Sequence, residues 1–173
     1  MGWATAFRGL ALAAGGQAQE AFALLTRAVA QRRAIGTIEN LPGLLAWLAK
    51  VAAMLGRPAE AWRYLAEAAQ IIETTDERIS VAEVLYRMPG DLLAAAGDWS
   101  GAEQHYRQAI AVAERQSAKL IQLRASISLA RLLRDRGRHM EARELLGPIY
   151  GWFTEGFDAP VLKEARALLD ELT

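Results

Sequence analysis

Four glycines constrain this chain more than any other feature. Gly16, Gly56, Gly97 and Gly137 recur at intervals of 40, 41 and 40 residues, and each brings the same neighbours with it. Five residues on stands an alanine: Ala21, Ala61, Ala102, Ala142. Four further comes a larger side chain (Leu25, Leu65, Tyr106, Leu146), and three beyond that Ala28, Ala68, Ala109 and Ile149. Seven residues before each glycine sits Gly9, Ala49, Gly90 or Ala130. Five coupled positions repeated four times define a unit of roughly 40 residues, a length that suits helical hairpins stacked on one another.

Physical reasons follow for each position. The glycine marks the turn between two helices, where left-handed geometry is cheap without a Cβ. Small residues let the paired helices approach, and the larger side chain, four positions on along the same face, fills the space above. In the second repeat Leu44, Leu45, Leu48, Val51, Ala52 and Leu55 form the stripe of the first helix, and Ala61, Trp62, Leu65 and Ala68 that of the second. Pro58 suits a first helical turn, and Asp98 is placed to cap the helix after Gly97. The hydrophobic fraction of 53% rests on Ala and Leu more than on β-branched residues, the usage of a helical protein.

On these residues the pattern resembles the tetratricopeptide repeat family. The third unit is nearest, with Tyr86, Gly90 and Leu93 on its first helix and Ala102 and Tyr106 on its second. The resemblance covers about residues 2–153. It implies an all-α, right-handed α-solenoid of four hairpins (2–38, 42–76, 78–117, 119–153) in a single domain, 1–173. The period exceeds the family's by roughly 6 residues, which calls for longer helices or turns, and it also fits HEAT-type repeats. Pro89 predicts a kink near Met88–Gly90. After the fourth unit, Gly147–Gly156 reads as a helix end and a packed loop anchored by Trp152. Asp158 is then the candidate N-cap of a capping helix over 159–172, with Val161, Leu162, Ala165, Leu168, Leu169 and Leu172 inward and Lys163, Glu164, Arg166, Asp170 and Glu171 outward.

A second resemblance concerns context. The runs Ala102–Ala113, Ser128–Gly137 and Pro148–Asp158, above all Tyr150–Asp158, are similar to the C-terminal region of large bacterial signalling proteins. Those carry a class III adenylate or guanylate cyclase domain, or a DNA-binding output domain, with a regulatory ATPase module ahead of tetratricopeptide-like repeats. The resemblance implies a regulatory scaffold in signal transduction whose catalytic domains lie elsewhere.

The sequence offers no chemistry of its own. It has no cysteine, so thiol, disulfide and Cys-ligated metal sites are excluded. Neither a P-loop nor a G-x-G-x-x-G after a strand occurs. His105 and His139 stand on separate repeats without ligand spacing, which predicts solvent-facing imidazoles and no metal site. The acidic pairs Asp76-Glu77 and Asp170-Glu171 read as a helix start and a solvated end. Trp62 and Trp99 read as packing between helices. The expectation is therefore no enzyme activity and no cofactor. With 20 basic and 20 acidic residues, nothing electrostatic favours nucleic acid or a membrane surface. No apolar run approaches the ~20 residues of a spanning helix, and the first residues lack a signal peptide's pattern, so a cytoplasmic location is expected.

What remains is surface. In stacked hairpins the first helices line the inner face. Counting from each glycine places Trp3, Ala6 and Leu10 there, then Trp47, Lys50 and Met54, then Arg87, Met88 and Asp91, then Arg124, Ser128 and Arg131. This face runs from apolar to basic and predicts a protein or peptide partner with apolar anchors and acidic groups, held by Trp47, Lys50, Arg87, Asp91, Arg124 and Arg131. Lys50 and Arg87 resemble part of the set with which some tetratricopeptide domains grip a terminal carboxylate, but no Asn accompanies them. The plainer reading of the arginine run Arg124–Arg143 is a solvated face laced with ion pairs. An alternative is structural: the apolar opening Trp3, Phe7, Leu10 self-associates as a homodimer or packs on an upstream domain, and the inner face stays empty.

Overall fold

The structure, a computed structural model, describes residues 2–36, 38–75, 78 and 81–172, except the side chains of residues 2 and 3. The described residues form helices and turns without a strand. They divide into two compact units, Met1–Pro89 and Gly90–Thr173.

In the first unit α1 (Gly2–Ala14) pairs with α2 (Ala18–Ala34), and α3 (Leu41–Met54) with α4 (Pro58–Thr75). The backbone closes both turns in one way. Gly16 and Gly56 take φ of +81° and +70°. The N–H of the following residue then reaches back, Gln17 to the Leu12 carbonyl at 2.9 Å and Arg57 to the Ala52 carbonyl at 3.0 Å. This is the Schellman closure, and its left-handed position is where a Cβ is costly. Gly97 and Gly137 in the second unit repeat it, with Asp98 bonding Leu93 at 2.9 Å and Arg138 bonding Leu133 at 2.8 Å.

The small and large residues of the repeat meet each other directly. A Cβ on Gly9 would stand 3.0 Å from Cγ of Leu25, and one on Gly90 would stand 2.7 Å from the Tyr106 ring. Where the mate is Leu65 or Leu146, Ala49 and Ala130 take the small slot, all four buried. The small residue seven before the turn is thus a seat for the large one nine after it, rather than for another small side chain.

A six-residue π-helical stretch, Ala82–Arg87, runs directly into α5 (Met88–Ala95). The wider spacing of 41 residues and this wide turn fall in the same segment, between Ala68 and Gly90. One extra residue inside a helix is what a π turn accommodates, so the irregularity sits just ahead of Pro89. In the second unit α6 (Trp99–Arg115), α7 (Lys119–Asp135), α8 (His139–Gly151) and α9 (Pro160–Glu171) follow. The Asp98 carboxylate caps α6, accepting from the Gly101 N–H at 2.9 Å. Leu162, Ala165, Leu168 and Leu172 of α9 enter the core formed by α7 and α8, which closes that end of the unit.

Three expectations are corrected. The helix does not end at Gly147: α8 continues through Pro148 to Gly151, and because Glu144 and Pro148 are both solvent-exposed, water can serve the Glu144 carbonyl that the proline cannot bond. Asp158 does not cap α9; Ala159 holds that position in extended conformation, with no side-chain cap, and Pro160 opens the helix. Trp152 is not a buried anchor of the terminal loop: it is 57% exposed and meets that loop only through an edge-on contact with the Phe153 ring at 5.1 Å. Phe157 adds a second ring contact, 5.9 Å from Tyr150. The Asp76-Glu77 pair lies outside the described residues.

Candidate functional site

In the first unit the site is built on α3. This helix packs on α1, α2, α4 and the π stretch, and Leu41, Leu44, Leu45, Ala46, Leu48, Ala49, Val51 and Ala52 are buried. A helix buried on so many sides needs apolar residues almost throughout, and α3 has a single charge, Lys50. Its open positions include Trp47, Lys50 and Met54, at i, i+3 and i+7 on one face. Trp47 is half-buried, its ring 6.4 Å from that of Phe7 on α1. Phe7 and Met54 are 59% and 49% exposed, and Leu10 is half-buried. The structure thus brings Phe7, Trp47 and Lys50 into one neighbourhood. Neither α1 nor α3 holds an acidic residue, and Arg8 adds a second exposed cation. The Trp3 side chain lies outside the described residues. Arg87, at the end of the π stretch, donates through Nε to the Glu83 carboxylate, and its side chain is 13% exposed.

In the second unit the predicted residues are engaged differently. The Asp91 carboxylate accepts from the Tyr106 hydroxyl at 2.9 Å and the Ser128 hydroxyl at 3.4 Å. Arg131 pairs with Glu164 of α9 at 2.8 Å, and Arg134 pairs with Asp135 and Glu171. Arg124 is exposed one turn before Ser128. Across α6 and α8, Glu103, Arg107, Arg138 and Glu141 close a ring of ion pairs 2.7–2.8 Å long. Arg138, then Arg107, holds the Glu103 carboxyl below its ordinary range, and Arg107, then Arg138, does the same for Glu141. The guanidinium pKa values of Arg107 and Arg138 rise in turn. Much of the arginine run is therefore a laced surface.

Sequence reasoning missed one feature. On the second helices of the first unit, Arg57 lies 5.3 Å over the Phe22 ring and Arg63 5.2 Å over Tyr64, with Phe22 and Tyr64 6.4 Å apart. The signal available was the arginine directly after a turn glycine in two repeats, Arg57 and Arg138. Trp62 and Trp99, expected between helices, keep 41% and 43% of their surface open. His139 is exposed and His105 half-buried. Among the described residues no cluster of three metal-ligating side chains occurs, and no helix is long and apolar enough to cross a membrane.

Solved structures share this architecture. A Podosopora anserina protein described as a kinesin light chain with nearly identical TPR-like repeats matches with a TM-score of 0.64 and 21% identity, over 98% of this chain and 83% of that one. BtubC (BKLC) from P. vanneervenii matches with a TM-score of 0.67 and 16% identity, over 95% of this chain and 75% of that one. The chain therefore has the all-α, TPR-like repeat fold. No curated protein matches it in sequence. A family model does, over residues 19–116, more than half the length, and the chain belongs to that family, the protein of unknown function DUF2379.

Proposed function

We propose that this chain is a non-enzymatic protein-interaction scaffold whose first-helix faces hold a segment of a partner protein. The observation that carries this reading is the open stripe of α3. On a helix otherwise buried, Trp47 and Lys50 stay accessible beside the exposed Phe7. A half-buried aromatic flanked by an exposed ring and a cation is the composition of a binding anchor. The absence of acidic residues from α1 and α3 favours an acidic segment with an apolar anchor. Arg87 of the same unit is a secondary contact, released from Glu83 on binding; in the second unit Asp91, Arg124 and Arg131 make up that unit's own first-helix face, with Arg131 released from Glu164 when it engages a partner. The TPR-like fold supports a scaffold of this kind.

A peptide library selected on the full chain tests the reading. Acid-rich peptides with an apolar anchor are expected, weakened roughly tenfold or more by Trp47→Ala or Lys50→Glu. Selected peptides that bind both variants as they bind the parent overturn it. The parent context we propose is a larger cytoplasmic bacterial signalling protein with a cyclase or ATPase domain. The reading frame upstream of Met1 tests it: such a domain supports the context, and an unrelated domain overturns it.

A second reading is self-association through α1, favoured by the 59% exposure of Phe7. A concentration-dependent dimer abolished by Phe7→Glu in light scattering supports it. A monomer at all concentrations overturns it.

A further inference from the structure

The second unit contains a cleft that the interaction reading does not use. It measures about 250 Å³ and opens between the end of α6, the first half of α7 and the end of α8. Ile110, Leu145 and Ile149 give it apolar walls. Four polar residues, Glu114, Lys119, Gln122 and Ser126, also line it, and their charges define the ligand. Ser126 is 1% exposed, the buried polar residue of the described core. It lines the floor of this cleft. Glu114, at the exposed rim, has no ion-pair partner among the described residues. Lys119 donates to the neutral Gln122 Oε1 at 3.0 Å and sits 5.9 Å from the Trp152 ring centre. It meets no carboxylate, and it does not pair with Glu114.

One lining acid at the rim and one lining ammonium, neither paired with an opposite charge, complement a molecule carrying both charges. The apolar walls ask for an uncharged body, and the volume limits its size. A cavity of about 150 Å³ takes one benzene ring, so this cleft suits a ligand slightly larger than that. We propose that the cleft binds a free α-amino acid with an apolar side chain. Its ammonium group pairs with Glu114, and its carboxylate with Lys119 and the Gln122 amide N–H. Its side chain lies on Ile110, Leu145 and Ile149 beside Trp152. The site lies wholly within the second unit and stands independently of the peptide reading.

L-leucine is the probe, titrated into the full ¹⁵N-labelled chain to tens of millimolar. The expected result is saturable shifts centred on Gln122, Ser126, Ile149 and the Trp152 indole. N-acetyl-L-leucine, which lacks the ammonium group, and L-leucinamide, which lacks the carboxylate, should each bind roughly tenfold more weakly, the value of one charge-assisted contact. Glu114→Gln, an exposed change that leaves the fold alone, should bring leucine and N-acetyl-leucine to equal affinity. Lys119→Met should do the same for leucine and leucinamide. Absence of saturable shifts overturns the proposal. So do shifts centred elsewhere, or leucine affinity unchanged in both variants.

Discussion

Arg57 and Arg138 occupy the same place, one residue after a turn glycine, in the first and second units. Each reaches back to the same position on the preceding hairpin, six residues after its glycine, yet the chemistry it meets differs. Arg57 lies over the ring of Phe22, whereas Arg138 pairs with Glu103 at 2.7 Å. Each also turns to an acid three residues on, Glu60 or Glu141. The first-helix faces diverge in the same sense: Phe7, Trp47 and Met54 in one unit, the Asp91–Tyr106–Ser128 cluster and Arg131–Glu164 in the other. The repeat therefore prescribes the backbone turn and the buried seats. It leaves the surface slots free, and each unit fills them to a different end.

The largest test of that division lies at the seats. Gly90→Ala drives a methyl group into the rigid Tyr106 ring and should cost about 1–3 kcal/mol, in the overpacking range. Gly9→Ala meets the end of a flexible leucine and should cost less, as denaturant midpoints will show. If the two cost the same, ring and leucine seats are equivalent. Next come the turns that join hairpins. The first unit uses Gly36 at φ +67° after α2, while the second uses Ser117 at φ +54° after α6. Ser117→Gly should stabilise by about 0.5–1 kcal/mol, whereas Gly36→Ala should destabilise, both read from thermal midpoints.

Smaller effects separate the two arginines. Arg57→Gln should cost about 0.5 kcal/mol, the value of a partly exposed cation–π contact. Glu103→Gln should also cost below about 1 kcal/mol, but with a different dependence on conditions. Salt screens an exposed ion ring, so the Glu103 effect should fade in high salt while the Arg57 effect persists. The pH response has a definite sign. Folding lowers the carboxyl pKa of Glu103 and Glu141. Their contribution is thus complete above the unfolded value of about 4.3 and is lost as pH falls through the lowered folded value. Hydrogen exchange in α6 and α8 should accelerate in that window. The double substitution Glu103→Gln and Glu141→Gln should flatten the response, and exchange in α2 and α4 should not follow it.

Much of the fold was legible because its determinants are local or strictly periodic. The turn glycines, the recurring small and large positions, the Asp98 cap and the final amphipathic helix each announce themselves within a few residues. Features set by tertiary surroundings did not. Ser117 adopts the geometry of a glycine without being one, and only the Ala118 N–H bond to the Ala113 carbonyl, at 2.9 Å, reveals the shared closure. Pro148 reads as a helix terminator, yet α8 passes through it at an exposed edge. The candidate surface was half legible. The period placed Trp47 and Lys50 on one face of α3, and i,i+4 spacing could have paired Arg87 with Glu83, but no spacing rule could say that Arg131 reaches Glu164. Long flexible cations choose partners from whichever helix lies beside them.

The main-chain closure of the turns has an evolutionary consequence. Gln17, Arg57, Asp98 and Arg138 share no chemistry, yet each makes the same bond through its own N–H. A gene segment encoding one hairpin thus brings its complete fastening with it wherever it is copied. Tandem duplication would yield a ready-made module at once, and later mutation could rewrite the outside without loosening the clasp.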